Sequence, residues 1–149
     1  IRGQILNLLT ELQEQLGLSY VLVSHDLSVV RDVADRVAVM YLGKIVEVAG
    51  TASLYDRPRH PYTRALISAV PVPARGGKAR TGRIVLQGET PDASDPPTGC
   101  RFRTRCWKAQ ESCAQIDPPL RELDAGHWAA CHFPEPSIAT SAGALASSA

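Results

Sequence analysis

The chain has 149 residues, a net charge of +1 and a hydrophobic fraction of 44%. That length predicts one domain or one domain with a small appendage, and the near-neutral charge gives no electrostatic argument for a nucleic-acid partner or an anionic membrane surface. No apolar run approaches the roughly 20 residues that span a bilayer, and the opening Ile1-Arg2-Gly3-Gln4 has no basic stretch before an apolar block, so neither a transmembrane helix nor a signal peptide is predicted. The chain lacks an initial Met and opens inside a helical pattern, which predicts the C-terminal piece of a longer protein.

Ile5, Leu8, Leu9, Leu12 and Leu16 recur at helical spacing, predicting an amphipathic helix packed on a sheet. Gly17 is placed to end it. Residues 20–23, Tyr-Val-Leu-Val, carry too little polarity for a half-exposed strand. They predict a central strand buried on both faces, as parallel sheets require. The run stops at Ser24-His25-Asp26, and Leu27, Val30, Val33 and Ala34 then line one face of a short helix, with Asp26 or Ser28 as its cap. Residues 37–41 predict a strand, Leu42-Gly43-Lys44 a tight turn, and residues 45–48 the returning strand of a hairpin closed by Gly50. Thr51 is a candidate cap for a single helical turn through Leu54 and Tyr55. Pro61 suits the first turn of a helix carrying Ala65, Leu66 and Ile67.

Residues 71–81 change to Pro, Gly, Ala, Arg and Lys, a linker composition. Residues 83–86 predict a short strand. Residues 87–99 hold Pro91, Pro96 and Pro97 and show no period. Residues 137–149 contain nine Ala or Ser in thirteen, the composition of a disordered tail. The predicted division is residues 1–70, a linker with a short strand over 71–99, a Cys-rich module over 100–133 and a tail over 134–149.

His25 follows a strand, where open α/β sheets present ligand crevices. An imidazole there can donate to a phosphate oxygen or orient an attacking water; it can equally serve only to satisfy the strand-to-helix turn. The cysteines follow Cys100-x5-Cys106-x6-Cys113-x17-Cys131. Neither short gap is the tight knuckle usual for structural zinc, an iron–sulfur cluster accepts more varied spacing, and disulfides fit an oxidising compartment. Arg101, Arg103, Arg105 and Lys108 lie around the first two cysteines and are expected to favour the thiolate form. His127 and His132 are candidate substitute ligands or loop residues. Trp107 and Trp128 are candidates to shield the site or form a small core.

The ordered set of helix, strand ending Ser24-His25-Asp26, helix, Asp35-Arg36, strand, Gly turn and strand resembles the C-terminal part of ABC-transporter ATPase domains. Gly43-Lys44-Ile45-Val46-Glu47, Leu54-Tyr55-Asp56-Arg57-Pro58 and His60-Pro61-Tyr62-Thr63-Arg64-Ala65-Leu66 narrow the resemblance to the oligopeptide/dipeptide import family. There, a Cys-rich tail resembling Gly99-Cys100-Arg101-Phe102-Arg103-Thr104-Arg105-Cys106 follows. His60 and Pro61 also read simply as the cap and first turn of a helix. The resemblance implies an α/β fold, the C-terminal part of a P-loop ABC ATPase domain with buried strands, flanking helices and a closing hairpin, followed by the small Cys-rich irregular module.

The resemblance further implies His25 as the switch histidine at the ATP γ-phosphate. It implies ATP and Mg2+ as ligands of the whole protein, and a [4Fe-4S] cluster on Cys100, Cys106, Cys113 and Cys131, with Zn2+ as the alternative. The implied partners are a second ATPase subunit, identical or not, membrane-spanning permease subunits and, indirectly, an extracytoplasmic peptide-binding protein, with no nucleic acid. The implied location is cytoplasmic, peripheral on the inner face of the membrane. The sequence has no Gly-x4-Gly-Lys-Ser/Thr loop, no Leu-Ser-Gly-Gly-Gln signature and no strand ending Asp-Glu, so residues 1–149 alone are expected not to hydrolyse ATP. Alternative functions are an ABC ATPase serving nickel or glutathione import, or a stand-alone metal or iron–sulfur interaction module.

Overall fold

The computed structural model describes residues 2–70 and 82–136; the expected linker over 71–81 and most of the expected tail, residues 137–149, lie outside them. Helix α1 runs Arg2–Leu16 and ends at Gly17 as the pattern predicts. It does not pack on a sheet, because Ile5, Leu8 and Leu16 are exposed. Residues 20–23 form no strand either, and Val21 and Val23 are 96% and 93% exposed. Both expectations need correction for one reason. A strand buried on both faces requires neighbouring strands to take its backbone donors and helices to cover it, and among the described residues none pairs with this segment.

Helix α2, Leu27–Val33, starts where the Asp26 carboxylate accepts from the Ser28 and Val29 amides at 2.9 and 3.4 Å. Its Val30 is buried. Strands β1, Arg36–Tyr41, and β2, Lys44–Gly50, form the predicted hairpin. Leu42 and Gly43 turn it with φ of 45° and 76°, the paired left-handed conformation that matches strand twist in a two-residue hairpin loop. β1 alternates, sending Val37, Val39 and Tyr41 inward. Helix α3, Thr51–Asp56, follows directly. Thr51 is not its cap; Gly50 holds that position, and the Thr51 hydroxyl donates to the Ala34 carbonyl. Helix α4, Pro61–Ser68, has His60 as N-cap, its Nδ1 accepting from the Tyr62 amide at 3.1 Å, with Pro61 in the first turn.

Residues 83–86 make no strand. The Cys-rich segment is more regular than its composition suggests. A 3-10 turn, Arg103–Arg105, and helix α5, Glu111–Gln115, precede strands β3, Arg121–Asp124, and β4, His127–Ala129. β4 pairs antiparallel with β2, so one four-stranded sheet runs β1-β2-β4-β3. The Ala130 amide continues the seam by donating to the Val46 carbonyl at 2.8 Å.

The core follows the same continuity. Phe102, 1% exposed, belongs to the cluster of Val30, Val37, Val39, Tyr41, Val46, Leu54, Tyr55 and Ile67. Its ring lies edge-on to Tyr41 at 5.2 Å and near Tyr62 at 5.3 Å. Residue 100 is therefore not a packing boundary: the module completes the hairpin's sheet and fills its core.

Candidate functional site

His25 sits in a bend one residue before the α2 cap, and its side chain is exposed. The Asp26 amide accepts its place in the turn by donating to the Ser24 hydroxyl at 3.0 Å. The histidine thus stands outside the packed core, at the start of a helix.

The cysteines converge. The Cys100 amide donates to the Cys113 carbonyl at 2.8 Å. Gly99, with φ of 65°, makes that approach possible, because a Cβ there would run into the Cys113 carbonyl and the Ala114 backbone. Cys131 follows β4, and Cys106 ends the 3-10 turn. All four cysteines are free. The charge on Cys100 feels Cys113, that on Cys106 feels Cys100 and Cys113, and that on Cys131 feels Cys106 and Cys100.

Burial is the main cause that raises the thiol pKa values, with mutual repulsion adding to it. Cys100 and Cys106 are pushed up, and Cys131 reaches about 11. Backbone amides pull the other way: Phe102 and Arg103 donate to Cys100, Lys108 to Cys106 and Phe133 to Cys131. The expectation that the basic residues favour thiolate is corrected here. Arg103 and Lys108 act in that direction, but desolvation outweighs them. Arg101 instead donates to the Leu42 carbonyl and Arg105 to the Thr90 hydroxyl. Among the described residues, no group of three or more His, Cys, Asp or Glu is arranged to hold a metal ion.

A polar cluster that sequence reasoning missed joins the module to the hairpin. Glu47, 0% exposed in the middle of β2, accepts from the Arg59 amide at 2.6 Å, the His60 amide at 2.9 Å and the His127 Nε2 at 2.6 Å. The other ring nitrogen, Nδ1, is hydrogen-bonded with the Ser53 hydroxyl at 3.0 Å. His127 is therefore neither a loop residue nor a ligand beside the cysteines; it is a buried strand residue. Around it, Arg59 pairs with Asp124 and donates from Nε to the Glu135 carbonyl at 2.7 Å, while Arg64 pairs with the Glu135 carboxylate at 2.7 Å. The available signal was the carboxylate itself: Ile45-Val46-Glu47-Val48-Ala49 puts one charge inside an apolar strand, and such a charge needs partners.

The His132 Nε2 donates to the Ile116 carbonyl, 2.9 Å away. Trp107 and Trp128 are both partly exposed, so neither forms a core around the cysteines.

Residues 46–113, from the second hairpin strand to the third cysteine, match the family model described as the oligopeptide/dipeptide transporter, C-terminal region. The chain is 51% identical over 133 residues to the oligopeptide transport ATP-binding protein AppF of Bacillus subtilis, covering 89% of this chain and 40% of that protein. It is 49% identical over 131 residues to the dipeptide transport ATP-binding protein DppF of Haemophilus influenzae, covering 88% and 39%. The chain is thus similar throughout most of its length to transport ATP-binding proteins. Within that class its similarity is to oligopeptide and dipeptide transport proteins. It spans about two fifths of the length of the relatives it matches.

Proposed function

We propose that this chain is the C-terminal part of the ATP-binding subunit of an ABC transporter that imports dipeptides or oligopeptides. The identity of about half of all positions to AppF and DppF, across nearly nine tenths of the chain, carries the reading. In the whole protein, ATP with Mg2+ binds between two opposed ATPase subunits, identical or not, and its hydrolysis drives the permease subunits. Peptide reaches them from an extracytoplasmic binding protein. The subunit sits on the cytoplasmic face of the membrane; among the described residues, no helix is long and apolar enough to cross it.

His25 is the residue of this chain that contacts the γ-phosphate. Its exposure and its place before the N-terminus of α2 support that role. Phosphoryl transfer depends on positioning and charge stabilisation, so a fixed imidazole donor beside the transferred group lowers the barrier. The Asp26 cap fixes the backbone from which His25 projects.

Cys100, Cys106, Cys113 and Cys131 would hold a [4Fe-4S] cluster, which supplies metal–thiolate cross-links between the segments that carry them. Four free, mutually interacting thiols with amides already donating to three of the sulfurs support this donor set. Zn2+ on the same four thiolates is the alternative. Because burial raises the pKa of the Cys100, Cys106 and Cys131 thiols, loading would release protons from them.

The test is ATP hydrolysis by the assembled transporter. His25→Ala should lower kcat by about 100-fold or more, the loss typical for one transition-state donor. Unchanged, peptide-stimulated turnover in that variant would overturn the role of His25; no stimulation by any peptide-loaded binding protein would overturn the transport reading.

A further inference from the structure

The His25 side chain is exposed, so its place is set by the backbone that carries it. Upstream, residues 18–24 hold no helix or strand. Downstream, α2 begins at Leu27, directly after the Asp26 cap. Whatever fixes the start of α2 therefore fixes the histidine. Helix α3 holds α2 at both ends. At the far end, the Thr51 hydroxyl donates to the Ala34 carbonyl and the Thr51 amide to the Asp35 carbonyl at 2.9 Å. At the near end, the Tyr55 hydroxyl donates to the carbonyl of Leu27, the first residue of α2.

Helix α3 is itself anchored. Its Leu54 is fully buried, Tyr55 is buried beside it, and the Ser53 hydroxyl is hydrogen-bonded with the His127 ring on β4. Burial raises the Tyr55 pKa, with Arg31 opposing and Asp32 and Asp26 adding to the rise, so the phenol stays protonated and a donor near neutral pH. Those three charges lie on α2 or at its cap. A phenylalanine would fill the same core space, so the hydroxyl's own contribution is its grip on α2. We propose that Tyr55 is a positioning residue for His25: its hydroxyl pins the first turn of α2 to the buried α3 and thereby holds the imidazole at the distance that phosphoryl transfer needs. The proposal rests on the reading of His25 above, and a small misplacement is enough to slow a reaction that depends on geometry.

The test is Tyr55→Phe, which keeps the ring in the core, made in the whole protein and measured in the assembled transporter. The kcat for ATP should fall about three- to ten-fold, the size of one net hydrogen bond. KM for ATP should not change, because the loss is confined to the transition state. Added to His25→Ala, Tyr55→Phe should lower kcat no further, since residues that act as a unit are not additive. Hydrogen exchange at the Ser28, Val29 and Val30 amides should quicken. Thr51→Val removes the hydroxyl bond at the far end of α2 and controls for general loosening; it should leave kcat unchanged. The proposal is overturned by unchanged exchange in the first turn, by a Tyr55→Phe loss that persists in full beside His25→Ala, or by an equal loss in Thr51→Val. Normal turnover in His25→Ala itself would instead remove the γ-phosphate reading, and with it any catalytic role for Tyr55, while exchange would still show whether the hydroxyl pins α2.

Discussion

Replacing Glu47 with Ala removes the acceptor for three donors at once: the Arg59 and His60 amides and the His127 imidazole. The carboxylate is fully buried, and so is the His127 ring, so water cannot take over without opening the sheet. An unmet buried donor costs about 1–3 kcal/mol, which sets a floor near 3 kcal/mol for the three. Against a typical total stability of about 5–15 kcal/mol this is a large loss. It corresponds to a fall in melting temperature on the order of 10 °C. Glu47→Gln should cost less, because one oxygen still accepts from Arg59 and His127 while the new amide faces the His60 N–H, donor against donor. Chemical and thermal unfolding followed by circular dichroism gives both values. A double-mutant cycle with His127→Ala should show coupling above about 0.5 kcal/mol. A Glu47→Ala loss below about 1 kcal/mol, or no coupling to His127, would refute the idea that this cluster joins the C-terminal strands to the hairpin.

Further outcomes follow from the same packing. Burial lowers the His60 pKa from 6.5 to about 4, so the unfolded chain binds the proton more tightly and stability falls as pH drops from about 6.5 towards 4, by about 3 kcal/mol in full. A pH series of urea denaturation should show that slope, and His60→Asn, which keeps a capping acceptor, should flatten it. Phe102→Ala should cost about 3–5 kcal/mol and destabilise hairpin and Cys-rich segment in a single transition; two separate transitions would show independent units. Gly99→Ala should be destabilising through both its positive φ and the Cys113 backbone behind it, and hydrogen exchange at the Cys100 amide should report the break. The chain of residues 1–149 alone should show no ATP turnover above a His25→Ala control.

Elements whose partners lie close in sequence were legible from the start. The hairpin, its two-residue turn, the Asp26 and His60 caps and Pro61 in the first turn depend on local chemistry, and the structure places them where the residue types predict. Long-range pairing was not legible. β4 is three residues, His127–Ala129, too short to show an alternation, and what makes it a strand is β2, some eighty residues earlier. The Glu47 and His127 partners are separated by the same distance in the chain. Conversely, residues 20–23 carry a clear strand composition, yet composition supplies no neighbouring strand, and with none beside them among the described residues they are exposed. The four cysteines were visible as a set, but the balance of their charge was not. The surrounding cations suggested thiolates, whereas burial, which sequence does not display, sets the direction.

The most direct measurement of the functional reading is a chimera. Residues of this chain replace the matching C-terminal part of Bacillus subtilis AppF, and oligopeptide uptake is measured in cells lacking AppF. The expected result is uptake restored by the chimera and lost with His25→Ala at equal protein level. A folded, abundant chimera that supports no uptake, or one in which His25→Ala transports as well as the parent, would contradict it.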